Sequence, residues 1–263
     1  MAFNTETKYL SGQGIVTLEE IDAATGLGKG EVDVGNAPTL TMSMATENED
    51  KYESRSGNQL LAKRIPRKKT ADVKLSIENC SPAMLAVALY GAANVIASGS
   101  VTAEEHPVYL GKGRMLNHPK ISSLVVKGTG ADSAITYEVG KNYEIDATYG
   151  GINVYSDAEQ TAKGATNNIA DGDVLTFAYS YAGYVKTTAF ANTGTEYVLR
   201  MKGVNTSESG ERFYATVHRF QPNPLNGFNF ISNESTTIEL DGAAMADTTR
   251  AEGDQFMTLI SMT

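Results

Sequence analysis

The sequence has one cysteine, no tryptophan, seven prolines and three histidines in 263 residues, and each scarcity closes a route. A single Cys80 forms no intrachain disulfide, which fits either a reducing compartment at synthesis or a fold that needs no staples. The residue itself reads as a small apolar filler just before a helix. No apolar run approaches the roughly 18 residues of a membrane span, so no membrane insertion is expected. The start, Met1 to Thr7, lacks a basic flank followed by an apolar run, which predicts no signal peptide.

Chemistry-bearing motifs are scarce too. His106, His118 and His218 stand apart, and two of them precede Pro107 and Pro119. There is no His-x-x-x-His, Cys-x-x-Cys or His-Glu pair at metal-ligand spacing. A Gly-x-Ser-x-Gly elbow and a phosphate loop are missing as well. Gly26-Leu-Gly-Lys-Gly30 lacks the strand–loop–helix context of a nucleotide site and reads as a turn. Asp171-Gly-Asp173 lacks the spaced oxygens and closing glutamate of a calcium loop. The expectation is a non-enzyme with no catalytic, cofactor-binding or metal residues.

What the chain does have is a charged arm. The net charge of −9 argues against general nucleic-acid wrapping, which needs a basic face. Yet from Lys51 to Lys69 there are seven cations against one acid, Glu53. The arm opens acidic (Glu47, Glu49, Asp50) and turns basic (Lys51, Arg55, Lys63, Arg64, Arg67, Lys68, Lys69). A solvated loop is the plain reading of such a run, and a nucleic-acid patch would want more aromatics than Tyr52. The reading favoured is a protein contact, in which the basic arm meets an acidic surface on another copy and sets register. These ten residues are therefore the candidate oligomer interface.

The rest reads mainly as β. Gly14 to Ile21 is a strand, Asp22 to Gly26 a turn, Glu31 to Val34 a second strand, and Thr39 to Ala45 a third by its period-2 alternation. Ala71 to Ile77 alternates before a helix with Ser81 as N-cap and Pro82 at its first position. Gly91 closes that helix. Ala92 to Ser100 reads as a small-residue linker. Leu124 to Tyr184 reads as a self-contained β unit, with tyrosines 137, 143, 149, 155, 179, 181 and 184 packing across strands. Glu196 to Lys202 and Arg212 to Phe220 are strands around a long loop, followed by Ser235 to Gly242 and a late apolar strip, Phe256 to Ile260.

Four pieces together resemble the major tail tube protein of long-tailed bacteriophages with non-contractile tails. They are Gly14 to Gly26, the charged loop with Ser54 to Gly57 and Ala62 to Ile65 running on to Gly91, Tyr143 to Ile152 with Ile169 to Gly172 and Phe177 to Tyr181, and Val198 to Asn205 with His218 to Pro222 and Thr237 to Gly242. The resemblance implies a β-sandwich with one short flanking helix and a long inter-subunit loop. Six copies would form a ring whose sheets join in an inner β-barrel, and rings would stack into a hollow tube, as in the related haemolysin-coregulated rings of type VI secretion. It implies residues 1–123 and 185–263 as two halves of a tube domain, with the long charged loop at 46–70 and the helix at 81–91. Residues 124–184 become an insertion or part of the wall. Implied partners are further copies, the tape measure protein, tail terminator and distal tail proteins, and phage DNA passing without specific binding. The implied location is the virion tail, after synthesis in the bacterial host cytoplasm. Acids outside the arm would line a lumen that repels phosphate.

Two readings from other classes stand beside it. A carbohydrate-binding or adhesive β-sandwich would use the tyrosines, and a β-rich hydrolase would use scattered carboxylates.

Overall fold

The computed structural model of the chain describes residues 9–192 and 194–262. The segment read above for a signal peptide lies outside them. The chain forms two compact units, one up to Ala93 and again from Thr187, the other Asn94–Lys186.

In chain order the first unit contributes β1 (Gly12–Ile21), β2 (Gly28–Asp33), β3 (Thr39–Tyr52), β4 (Leu61–Ile77) and α1 (Pro82–Ala88). The middle of the chain carries β5 (Ala93–Ile96), β6 (Gly99–Pro107), β7 (Gly113–Met115), β8 (Ile121–Gly128), β9 (Thr136–Tyr137), β10 (Tyr143–Asp146), β11 (Gly151–Val154), α2 (Asp157–Ala162), β12 (Val174–Tyr181) and β13 (Tyr184–Thr187). The first unit is completed by β14 (Tyr197–Asn205), β15 (Glu211–Pro222), β16 (Ile238–Ala244) and β17 (Met257–Met262). The protein is mainly β.

The first unit's strands run β2-β1-β14-β15-β16-β4-β3, with β17 as a branch on β15. Along the edge away from β14, Arg212 to Val217 of β15 pair with β17, whereas Phe220 to Pro222 pair with β16. The core follows from strict alternation. Ala71, Val73, Leu75 and Ile77 of β4 point inward, and their register partners in β16 are Ala244, Gly242, Leu240 and Ile238. Val16, Leu18, Leu199, Val217 and Phe220 close over them. Each such side chain contributes roughly 1.5–3 kcal/mol by leaving water.

Helix α1 starts as the sequence indicates. The Ser81 hydroxyl accepts from the Met84 N–H, and Pro82 sits where no N–H is needed. Its end is built differently. Tyr90, not Gly91, takes the left-handed conformation (φ 52), while the Tyr90 and Gly91 N–H groups donate back to the Val87 and Ala86 carbonyls. Gly91 is needed for space, since a Cβ there would lie 1.6 Å from the Thr188 carbonyl oxygen.

The second unit is larger than the stretch from Leu124 onward. Strand β12 is flanked by β6 on one side and β8 on the other in a sheet ordered β6-β12-β8-β9, beside a sheet ordered β10-β11-β7. Cutting at residue 124 would strip both β6 and β7 from their partners, and the expected linker at 92–100 is mostly strand, holding β5 and the start of β6. Phe177, Leu175, Ile152, Ile169 and Val126 fill its core. A second helix, α2, joins the single helix expected. Ser156 and Glu159 form a reciprocal capping box at its start, a Ser-x-x-Glu signal present in the sequence.

Candidate functional site

The charged arm is a β-hairpin. β3 and β4 stay paired from Thr39↔Ser76 to Tyr52↔Leu61, so the acidic first half lies against the basic second half. No residue from 45 to 70 belongs to the core. From Ala45 to Tyr52 the hairpin runs on for about 23 Å at ~3.3 Å per residue. Glu47 and Lys68 are direct register partners, as are Asp50 and Arg64. Arg64 holds Asp50 through two hydrogen bonds of 2.8 and 2.9 Å. Arg67 donates to Glu49 at 2.7 Å, and Lys51 also pairs with Glu49. Lys68 reaches Glu47 at 3.2 Å.

These contacts hold the Asp50 and Glu49 carboxyls below the ordinary range, through hydrogen bonds from Arg64 and from Lys51 and Arg67 respectively. Exposed pairs of this kind set strand register more than they stabilise. Within the chain, Lys51, Arg64, Arg67 and Lys68 thus already pair with acids of the same hairpin. Arg55, Lys63 and Lys69 have no acidic partner among the described residues. Exposed Tyr52, Leu60 and Leu61 flank the polar turn from Glu53 to Gln59 that ends the hairpin.

A cleft of about 870 Å³ opens in the first unit, where the ends of β1, β14 and β15 meet the segment before β17. Its charges are engaged with one another: Lys29 with Glu20, Arg200 with Glu19, Arg219 with Glu196, and Arg250 with Asp247 and Asp254. The Asp22 carboxylate accepts from the Ala24 and Thr25 N–H groups.

His218 also lines this cleft and is buried. The Thr258 hydroxyl donates to Asp254, so at 2.9 Å it accepts from His218 Nε2–H. Nε2 thus carries a hydrogen, and Nδ1 is buried with no partner among the described residues, so a second proton there would go unsatisfied. Burial, and then the nearby Arg250 charge, lower the His218 pKa, against a weaker pull from Asp254 and Asp247. The sign for stability is fixed by this depression. Below about pH 6.5 the unfolded chain binds a proton that folded His218 resists, so stability falls as pH falls through that window. Denaturant midpoints at pH 7.5 and 5.5 should therefore separate for the parent chain and draw together for His218→Gln.

The second unit has a buried polar centre that the sequence did not advertise. Glu104 accepts from Tyr179 Oη, from His106 Nε2 at 2.6 Å and from the Asn117 N–H at 2.9 Å, while Arg114 donates to His106 Nδ1 at 2.8 Å. Burial pushes the Glu104 carboxyl up, but these hydrogen bonds together bring it below its ordinary value. Burial and the Glu104 carboxylate raise the Tyr179 phenol well above its usual range. His118 stacks on Tyr181 with ring centres 3.8 Å apart and meets Tyr184 Oη at 3.0 Å. So none of the three histidines stands alone in space. Tyr137, Tyr143 and Tyr179 are core residues, which removes them from any sugar-facing platform.

The profile of a family described as "Protein of unknown function UCP028589" matches residues 9–260. The chain belongs to this family. No curated protein matches it. The matched range takes in both units, with the hairpin and the cleft inside it. Among the described residues no group of three or more His, Cys, Asp and Glu is placed to hold a metal ion. No described helix is long and apolar enough to cross a membrane.

Of the ten residues proposed as an interface, the structure brings Glu47, Glu49, Asp50, Lys51, Arg64, Arg67 and Lys68 into one ladder and leaves Arg55, Lys63 and Lys69 facing solvent. Sequence reasoning missed the ladder, although its signal was there. Acid followed by base across a glycine-bearing turn, Ser56-Gly57-Asn58, is the charge order of an antiparallel pair.

Proposed function

We propose that the chain is a structural subunit that assembles with copies of itself, as the tail tube protein of a long-tailed phage, in hexameric rings stacked into a conduit for DNA and the tape measure protein. The observation that carries this reading is the hairpin. It extends beyond the core, carries cross-strand ion pairs along its length, and exposes Tyr52, Leu60 and Leu61 beside unmatched cations where its strands meet the turn. A lone globular protein gains nothing from ordering so much chain, because the entropy lost is not repaid by burial. Docking against a neighbour repays it.

Open strand edges and the exposed apolar side chains of β17 support the same reading, since both favour association. So does the cleft, where the charged side chains satisfy each other and leave none poised for a substrate. In this reading Arg55, Lys63 and Lys69 supply the electrostatic part of the ring-to-ring contact, and the location is the virion tail. The test is negative-stain microscopy with sedimentation over a range of concentration and salt. Rings or tubes are the expected result. A chain that stays monomeric throughout and instead binds glycans or turns over an ester overturns it.

A further inference from the structure

Three strands of the first unit have one edge with no partner strand along its whole length among the described residues: β2, β3 and β17. They differ in one respect that decides their use. β2 carries Lys29, Glu31 and Asp33 at alternate positions and a glycine, Gly30, at φ 107. Charges and irregular backbone are how natural edges avoid unwanted pairing, so β2 is guarded. Thr39 to Ala45 of β3 and Met257 to Met262 of β17 hold no charge, no proline and no glycine. Both are open to solvent where they are apolar, with Met44 74% and Leu259 53% exposed.

We propose that the β3 edge of one copy pairs with the β17 edge of the next, an assignment that rests on the ring reading above and specifies its joint. The alternation of the two edges matches. On β3, Leu40, Met42 and Met44 share the core-facing side. On β17, Met257 and Leu259 lie on the core-facing side, opposite Val217 and Ala215. Joining them continues one apolar face across the contact and covers Met44 and Leu259. The acidic run from Glu47 limits the pairing on β3 to its uncharged first half. The joint uses two different edges, so an open row of subunits always keeps one of each unpaired, and closing the row removes both.

The test uses two full-length variants that each guard one edge. Thr41→Lys/Ser43→Lys places charge on β3, and Ile260→Lys/Met262→Lys places it on β17; all four positions are exposed, and circular dichroism checks the fold of each. Each variant alone should stay monomeric at concentrations where the parent chain assembles, a loss of at least tenfold. Mixed in equal amounts they should form a one-to-one heterodimer that does not grow, because each retains the edge the other lacks. Assembly of either variant like the parent, or a mixture that remains monomeric, overturns the assignment. A parent chain that forms no rings, together with a heterodimer in the mixture, sinks the ring reading and leaves the edge pairing standing.

Discussion

A chain in which Asn48–Arg67 is replaced by Asn-Gly is expected to fold as the parent does and to form no tubes. The replacement keeps Glu47 opposite Lys68, the spacing at which a two-residue turn closes an antiparallel pair. Nothing removed belongs to the core, whose nearest buried member on β4 is Ala71. The ion pairs lost, Lys51–Glu49, Arg64–Asp50 and Arg67–Glu49, lie near the surface, and such pairs contribute little to stability. The unfolding midpoint should therefore stay within error of the parent, while assembly followed by light scattering and microscopy should drop to background. A truncated chain that polymerises like the parent would remove the hairpin from the mechanism. Loss of the fold would show that the hairpin supports the sheet instead of reaching beyond it.

The second large effect concerns the interior of the second unit. Gln160 is fully buried on α2, and all four of its hydrogen-bonding positions are used. Its amide oxygen accepts from Asn142 Nδ2 and from the Ile169 N–H, both at 2.8 Å. Its amide nitrogen donates to the Tyr155 and Ile169 carbonyls, both at 3.1 Å. One side chain thus fastens the helix to the strand end at Tyr155 and to the segment entering β12.

Gln160→Leu keeps the volume and orphans up to four buried polar groups. At about 1–3 kcal/mol for each group that finds no water, the expected loss is about 3–5 kcal/mol. Gln160→Glu should also destabilise at neutral pH, because a carboxylate would face two carbonyl oxygens. Lowering the pH protonates it and restores one donor, so part of that loss should return. Thermal unfolding of the two variants at pH 7 and pH 5 reads both effects. A Leu variant as stable as the parent would mean that water enters the site freely.

How much was legible follows from how far apart the interacting residues lie. The first strand, the alternation of Ala71 to Ile77 and the Ser81-Pro82 helix start are local patterns, and the structure has all three. The Ser156–Glu159 capping box was equally local and was passed over, because the strand signals on either side are stronger. The unit boundary was misplaced by about thirty residues for a different reason. β6 is short of apolar residues and is recognisable as a strand only beside β12, seventy residues later. The ion pairs within the arm were not legible, because which acid a paired cation meets is set by register. Glu49 meets Arg67 only once the hairpin forms.

By itself, then, the order of residues determined the β character of the chain, the start of its first helix and the separation of acid from base along the arm. Each depends on neighbours within one turn or one strand, where geometry is dictated by period and by capping chemistry. Tertiary structure alone decided which charges cancel, which edges stay open and which polar groups become interior. Those outcomes depend on strand register, and a slip of one residue would exchange every buried side chain for an exposed one.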